Sequence, residues 1–405
     1  SNVYLVTLHA RDMREPRLIT QHTGNISYGV YAFTPDNNAL IYGTDEHGEF
    51  NQAWRYDLAS GEKSALIAAE WDVMFVTYSP SGRYRVHAVN ADGSTALTIH
   101  DTQTNRDVRL SGVPAGDLGG VRFSRDETRI AFTVASDTSP ADVFTAPLAT
   151  GQATRLTHAL NPAIDESSLV EASVVRYPSF DGLDIPGILY RPHGSSAANP
   201  APAIVLVHGG PGGQSRRGYS AMIQHLVNHG YAVFAANNRG SSGYGKTFFH
   251  MDDRRHGEVD LQDIVYARRY LETLDWVDGD AIGIMGGSYG GYMVAAALAF
   301  EPEAFDVGVM SQPCCIGREA RIVHQARGAK SLEDAARHRL RGPRQGHPAA
   351  VAAAVDVVRS AAGMAVADAR RIAPPVDAEA PLDVPGEQRR GHRMPARMKL
   401  CTNCR

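Results

Sequence analysis

Several things are scarce in this sequence, and each scarcity excludes something. No apolar run approaches the length of a membrane span, so neither a helical anchor nor a membrane partner is expected. The net charge is only −4, which gives no general pull toward nucleic acid. The opening, SNVYLVTLHARD, lacks the basic region and apolar core of a secretory leader. It also lacks an initiator Met, so the numbering is expected to begin inside a longer protein. Cysteine is missing from the first 313 residues. That bounds the compartment weakly, and a cytoplasmic location is expected.

Aromatic residues are absent from 312–405, although the chain has 31 of them, the last being Phe305. All four cysteines lie in that same stretch, at Cys314, Cys315, Cys401 and Cys404. It holds 17 Lys+Arg against 9 Asp+Glu, whereas the residues before it hold 23 against 35. A basic, aromatic-free tail on an acidic, aromatic-rich body does not read as one evolved domain. Residues 312–405 are therefore expected to be disordered or poorly folded. With 405 residues in all, 43% of them hydrophobic, the chain can form two domains with a real core.

What is present first is a repeat. FTPDNNALIYGTD begins at Phe33, YSPSGRYRVHAVN at Tyr78 and FSRDETRIAFTVA at Phe123, spaced by 45 residues each time. Each phrase runs aromatic, turn residues, alternating strand, turn, strand. That is the pattern of one four-stranded β-propeller blade per unit, and residues 1–165 read as a partial propeller of about three blades. The opening matches only the end of a unit. From about residue 166 the pattern changes. VVRYPSFDGLDIPGILYRP reads as a hairpin turning at Asp181-Gly182. PAIVLVHGG and AVFAANNRG read as buried strands, and GYSAMIQHLVNHGY as a helix. DLQDIVYARRYLETL reads as a helix capped by Asp260, with Asp263 three residues on. Strands alternating with helices give a mostly parallel α/β sheet.

The chemistry concentrates in IGIMGGSYGGYMVAAALAF, residues 282–300. Gly286-Gly287-Ser288-Tyr289-Gly290 fits Gly-x-Ser-x-Gly, with a strand before it and a helix after it. So tight a turn needs Gly286 and Gly290 without side chains, and it thrusts the Ser288 hydroxyl outward as a nucleophile. The helix N-terminus that follows favours developing negative charge. HGGPGG, His208 to Gly213, ends an earlier strand. In an α/β-hydrolase the oxyanion donors are the amide after the nucleophile and one from such a loop. This assigns Tyr289 and Gly210, with Gly209 as an alternate. His208 precedes the nucleophile and reads as structural rather than as the base. In NNRGSSGYG, Arg239 either holds a carboxylate or braces loops.

Together SFDGLDIPGILYRP, HGGPGG, NNRGSSGYG, LDWVDGDAIGIMGGSYGGYM and the repeats resemble the prolyl oligopeptidase family of serine peptidases. The branch is the acylaminoacyl-peptidase and dipeptidyl-peptidase type. The resemblance covers about residues 1–311. It implies an all-β partial propeller followed by an incomplete α/β-hydrolase domain over 166–311. It further implies cleavage of short peptides through an acyl-enzyme on Ser288, with no cofactor. An esterase on the same scaffold and a catalytically dead binding scaffold are the alternatives. Subsite preference and oligomeric state are not readable.

The fold's chain order requires an Asp and then a His after the serine. Here no strand leads into Asp368, and His324, His338, His347 and His392 sit in stretches without a carboxylate motif. The catalytic Asp and His are therefore unassigned, and this chain is expected to be inactive. A reading-frame shift accounts for the tail. The codons of Glu379–Arg390, read from their second base, can spell KPLLMFQGSND, an apolar strand followed by the family's acid motif. No metal is expected: Cys401-x-x-Cys404 is the only CxxC, and the adjacent Cys314 and Cys315 rarely ligate one zinc together. The basic tail lacks aromatics for nucleic-acid stacking, so no nucleic-acid partner is expected either.

Overall fold

The structure is a computed structural model that describes residues 1–6, 8–9, 12–13, 15–311 and 321–324. All of these lie in the first of two compact units, Ser1–Gly342. The expectations for the tail, its cysteines and the acid hidden across Arg389 and Arg390 fall outside the described residues. So do Asp368, the side chain of His324, and His338, His347 and His392.

The 45-residue repeat becomes three antiparallel four-stranded sheets, ordered as meanders. Their first strands are Tyr28–Phe33, Val73–Tyr78 and Asp117–Phe123, so each repeat aromatic ends the first strand of its blade. The same hairpin turn follows in all three. Thr34, Ser79 and Ser124 accept from the amide three residues on, at Asn37, Gly82 and Glu127. Those three residues have φ of 56°, 79° and 52°. Asn and Gly suit this left-handed position in the first two blades, and Glu127 adopts it in the third. Alternation then buries one face of the second strands: Val86 and Ala88 in one blade, Ile130, Phe132 and Val134 in the next. Phe132 stacks on Phe144 at 5.8 Å in the core between those blades. Before the first full blade, the described residues form short two-stranded pairings, Tyr4–Leu5 with Arg17–Leu18 and Leu8–His9 with Asp12–Met13.

The second region is one seven-stranded sheet. Its strands are β1 Ala172–Pro178, β2 Asp184–Tyr190, β3 Ala201–Val207, β4 Ala232–Ala236, β5 Val277–Gly287, β6 Val307–Ser311 and β7 Arg321–His324. Their spatial order is β1-β2-β4-β3-β5-β6-β7, parallel from β4 to β6 and antiparallel at both edges. Every residue of β4 is buried, as a strand covered on both faces requires. Gly182, with φ 82°, turns the β1–β2 hairpin.

Three helices cover the sheet: α1 Ala221–Asn228, α2 Val259–Glu272 and α3 Tyr289–Phe300. Ser220 caps α1, its hydroxyl accepting from Ile223 N–H. Helix α2 departs from the expected start: Glu258, not Asp260, occupies the N-cap position. Asp260 lies inside the first turn, fully buried, and accepts from Gly257 and Leu261 amides. Its other oxygen is drawn inward to a buried phenol, that of Tyr289. Among the described residues no helix is long and apolar enough to cross a membrane.

Candidate active site

Strand β5 runs directly into α3, and Ser288 is the residue between them. Its backbone has φ 55° and ψ −117°, a strained region for a residue with a Cβ. The side chain is exposed and caps nothing in the helix it precedes. The Ser288 amide donates to Ser311 O at 3.1 Å, tying the turn to the end of β6.

The flanking glycines are set by contact rather than by backbone angle. A Cβ on Gly290 would lie 2.1 Å from Val207 O, and one on Gly286 would lie 2.5 Å from the Gly290 carbonyl. The α3 N-terminus therefore presses directly onto the end of β3.

Parallel pairing of Val207 with Gly286 carries the HGGPGG loop beside the serine. A Cβ on Gly209 would sit 3.5 Å from Ser288 Cβ and 4.0 Å from its Oγ. Gly210 has φ 136°, and a Cβ there would lie 2.4 Å from Gly213 N. The loop thus folds back on itself where only glycine fits. His208 has Nδ1 2.8 Å from Gly209 O and Nε2 2.8 Å from Ser241 Oγ. Burial pushes its pKa down, and both ring nitrogens are engaged, one within the loop and one by Ser241. Among the described residues no side chain hydrogen-bonds to the Ser288 hydroxyl.

Beneath the turn lies a polar network. The Tyr289 phenol is buried and donates to Asp260. Burial, and then the Asp260 charge, raise the phenol far above its usual range. His256 packs edge-on against Tyr289 at 5.6 Å, and its Nδ1 is 2.9 Å from Asp252 Oδ2. Burial pushes the Asp252 carboxyl up to about 6, against the opposing pull of His256. Asp252, His256 and Asp260 bring one ligand atom each within 4.8 Å of one another. Hydrogen bonds to His256 and Tyr289 already occupy the two carboxylates. Sequence reasoning missed this network. Its trace is the four-residue spacing of Asp252, His256 and Asp260, which gives no hint that Tyr289 lies above them.

Arg239 does hold carboxylates. Its Nε and Nη2 donate to buried Asp263 at 2.9 Å, and Nη1 and Nη2 donate to Asp181 at 2.9 and 3.0 Å. Burial works against its charge, but the two carboxylates raise its pKa further above the usual guanidinium value. The ring of Phe180 lies 4.7 Å from the guanidinium. The group locks α2 to the β1–β2 hairpin and to the loop after β4.

Residues 217–319, which include Ser288, match the model of the prolyl oligopeptidase family. The chain is 30% identical over 279 residues to dipeptidyl aminopeptidase BIII of Pseudoxanthomonas mexicana, covering 66% of this chain and 40% of that protein. It is 28% identical to the acylamino-acid-releasing enzyme of Sus scrofa, over 33% of this chain and 18% of that enzyme. Among solved structures, a puromycin-hydrolyzing peptidase of Mycobacterium tuberculosis superposes with a TM-score of 0.65 at 21% identity, covering 76% of this chain and 48% of that one. The chain thus spans less than half the length of these relatives. Partial propeller, α/β-hydrolase sheet and strained serine turn agree with that match, and residues 217–319 carry the prolyl oligopeptidase family domain.

Proposed function

We propose that this chain carries the nucleophile half of a serine peptidase acting on short peptides near their N-terminus. The observation that carries this is the Ser288 turn: strained, exposed at the start of α3, and faced by Gly209. In the proposed reaction Ser288 Oγ attacks the scissile carbonyl, giving up its proton to a base. The amides of Tyr289 and Gly210 stabilise the oxyanion, with Gly209 as the alternate to Gly210. The C–N bond then breaks, the amine leaves with a proton, and water hydrolyses the acyl-enzyme. Dipeptidyl and acylaminoacyl relatives support this substrate class.

A serine without an adjacent base is a weak nucleophile at neutral pH. Because the sequence after Ser311 carries neither the family's acid phrase nor its histidine loop, the chain as it stands is expected to turn over little or no substrate. This favours a second reading, a catalytically silent binding scaffold. A fluorophosphonate probe with mass-spectrometric site mapping separates the two. Slow or absent capture is expected. Rapid capture at Ser288, lost in Ser288→Ala, would overturn the silent reading. Amino-acid p-nitroanilides against p-nitrophenyl esters would then divide peptidase from esterase.

A further inference from the structure

The loop that begins at Gly209 has no regular structure of its own. Five of the ten residues from 209 to 218 are glycine. Such a backbone is not stiff, so its path must be set by what it is tied to. The ties at its far end lead into the propeller. Asp137, in the third blade, is buried and accepts four hydrogen bonds from beyond that blade. Its Oδ2 takes Arg217 Nε at 3.0 Å, Arg217 Nη2 at 2.5 Å and the Ala172 amide at 3.0 Å. Its Oδ1 takes the Gly218 amide at 2.9 Å. The second blade adds Gly93 O, which accepts from the Arg217 amide at 2.9 Å, and Asn90, which donates to Gln214 at 2.8 Å.

Most of these bonds converge on the loop whose other end faces Ser288. A buried carboxylate loses most of its partners if the blade withdraws, so docking and loop position are energetically one event.

We propose that Asp137 is a positioning residue: through Arg217 and Gly218 it holds the Gly209–Gly218 loop, and with it the Gly210 amide, in place over Ser288. Its catalytic meaning rests on the reading of Gly210 as an oxyanion donor. The propeller then supplies the restraint that shapes one side of the site.

The test uses the full chain with Asp137→Asn and, should that variant fold poorly, Arg217→Met. Glu49→Gln is the control. It weakens a different blade contact, to the Thr247 amide and hydroxyl at 2.7 and 2.9 Å, and removes no hydrogen bond of the loop. Two readouts are followed: hydrogen exchange at Arg217 and Gly218, and the amide signals of Gly209, Gly210, Gly212 and Gly213 in a 15N-glycine spectrum. In the Asp137 and Arg217 variants, exchange is expected to rise about ten-fold or more, as for a lost charged hydrogen bond, and the four glycine signals to move or broaden. The control should show neither. Unchanged glycine signals in a folded Asp137→Asn chain would overturn the proposal. So would equal effects in Glu49→Gln, which would make loose docking in general the cause. Neither readout needs a reactive Ser288, so failure here is distinct from failure of the peptidase reading.

Discussion

A residue with a Cβ at φ 55° and ψ −117° carries a backbone penalty, and at Ser288 that penalty can be measured without any enzymatic activity. Such conformations cost about 1–3 kcal/mol. Glycine escapes the cost but brings about 0.5–1 kcal/mol of extra chain entropy to lose on folding. Alanine keeps the Cβ and therefore the strain. The two substitutions are otherwise closely matched. The serine hydroxyl is exposed and caps nothing, and the amide bond to Ser311 O survives in both. Ser288→Gly is therefore expected to exceed Ser288→Ala in stability by about 1 kcal/mol, or roughly 2–4 °C in Tm. Urea unfolding of both variants, with equal slopes, gives the difference directly. If the glycine variant is no more stable than the alanine variant, the turn stores no strain and the reasoning fails.

Three other perturbations test the surroundings of that turn. Gly290→Ala puts a methyl 2.1 Å from Val207 O, which is backbone and cannot swing away; a loss of about 2–3 kcal/mol is expected in the same unfolding assay. Arg239→Met leaves buried Asp263 without its cation, which should cost about 3–5 kcal/mol; adding Asp263→Asn should recover part of it, and no recovery would refute the pairing. The Asp252 carboxyl, raised to about 6 by burial, gives a pH dependence. The folded state keeps a proton that the unfolded chain releases near its ordinary value of about 4. This group's contribution is therefore full below about pH 4 and lost as pH rises through about 6. Asp252→Asn should flatten the stability profile between those limits, and an unchanged profile would contradict the assignment.

Blade and sheet were legible because their signals are local. The aromatic that ends each blade's first strand and the left-handed turn four residues on are set within one phrase, and the phrase recurs. β3 and β4 read as buried strands because a strand covered on both faces of its sheet is apolar along its length. The start of α2 did not read correctly. Asp260 has the residue type of a cap, but its partner is Tyr289, 29 residues away. Arg239 shows the same limit: the sequence leaves open whether it braces or binds, and only the fold brings Asp181 and Asp263 to it. Long-range polar pairs of this kind have no periodicity. Nothing in MDDRRHGEVD says that a phenol waits above it.

The same distinction bears on the acid and base of the site. Two histidines near the turn are spoken for: His208 within its own loop, and His256 by Asp252. By the chain order of this fold, acid and base follow the serine and the strand after it, which here ends at Ser311. By then aromatic residues have stopped, the last being Phe305, and basic residues come to dominate. A turn still strained and still enclosed by glycines, joined to such a stretch, is what a shift of reading frame would leave. The nucleotide sequence across Glu379–Arg390 is expected to read, one base on, as an apolar strand ending in Gly-Ser-Asn-Asp. Codons that cannot spell it would refute the shift, and the inactive reading would then rest on the lack of an acid and base motif after Ser311 alone.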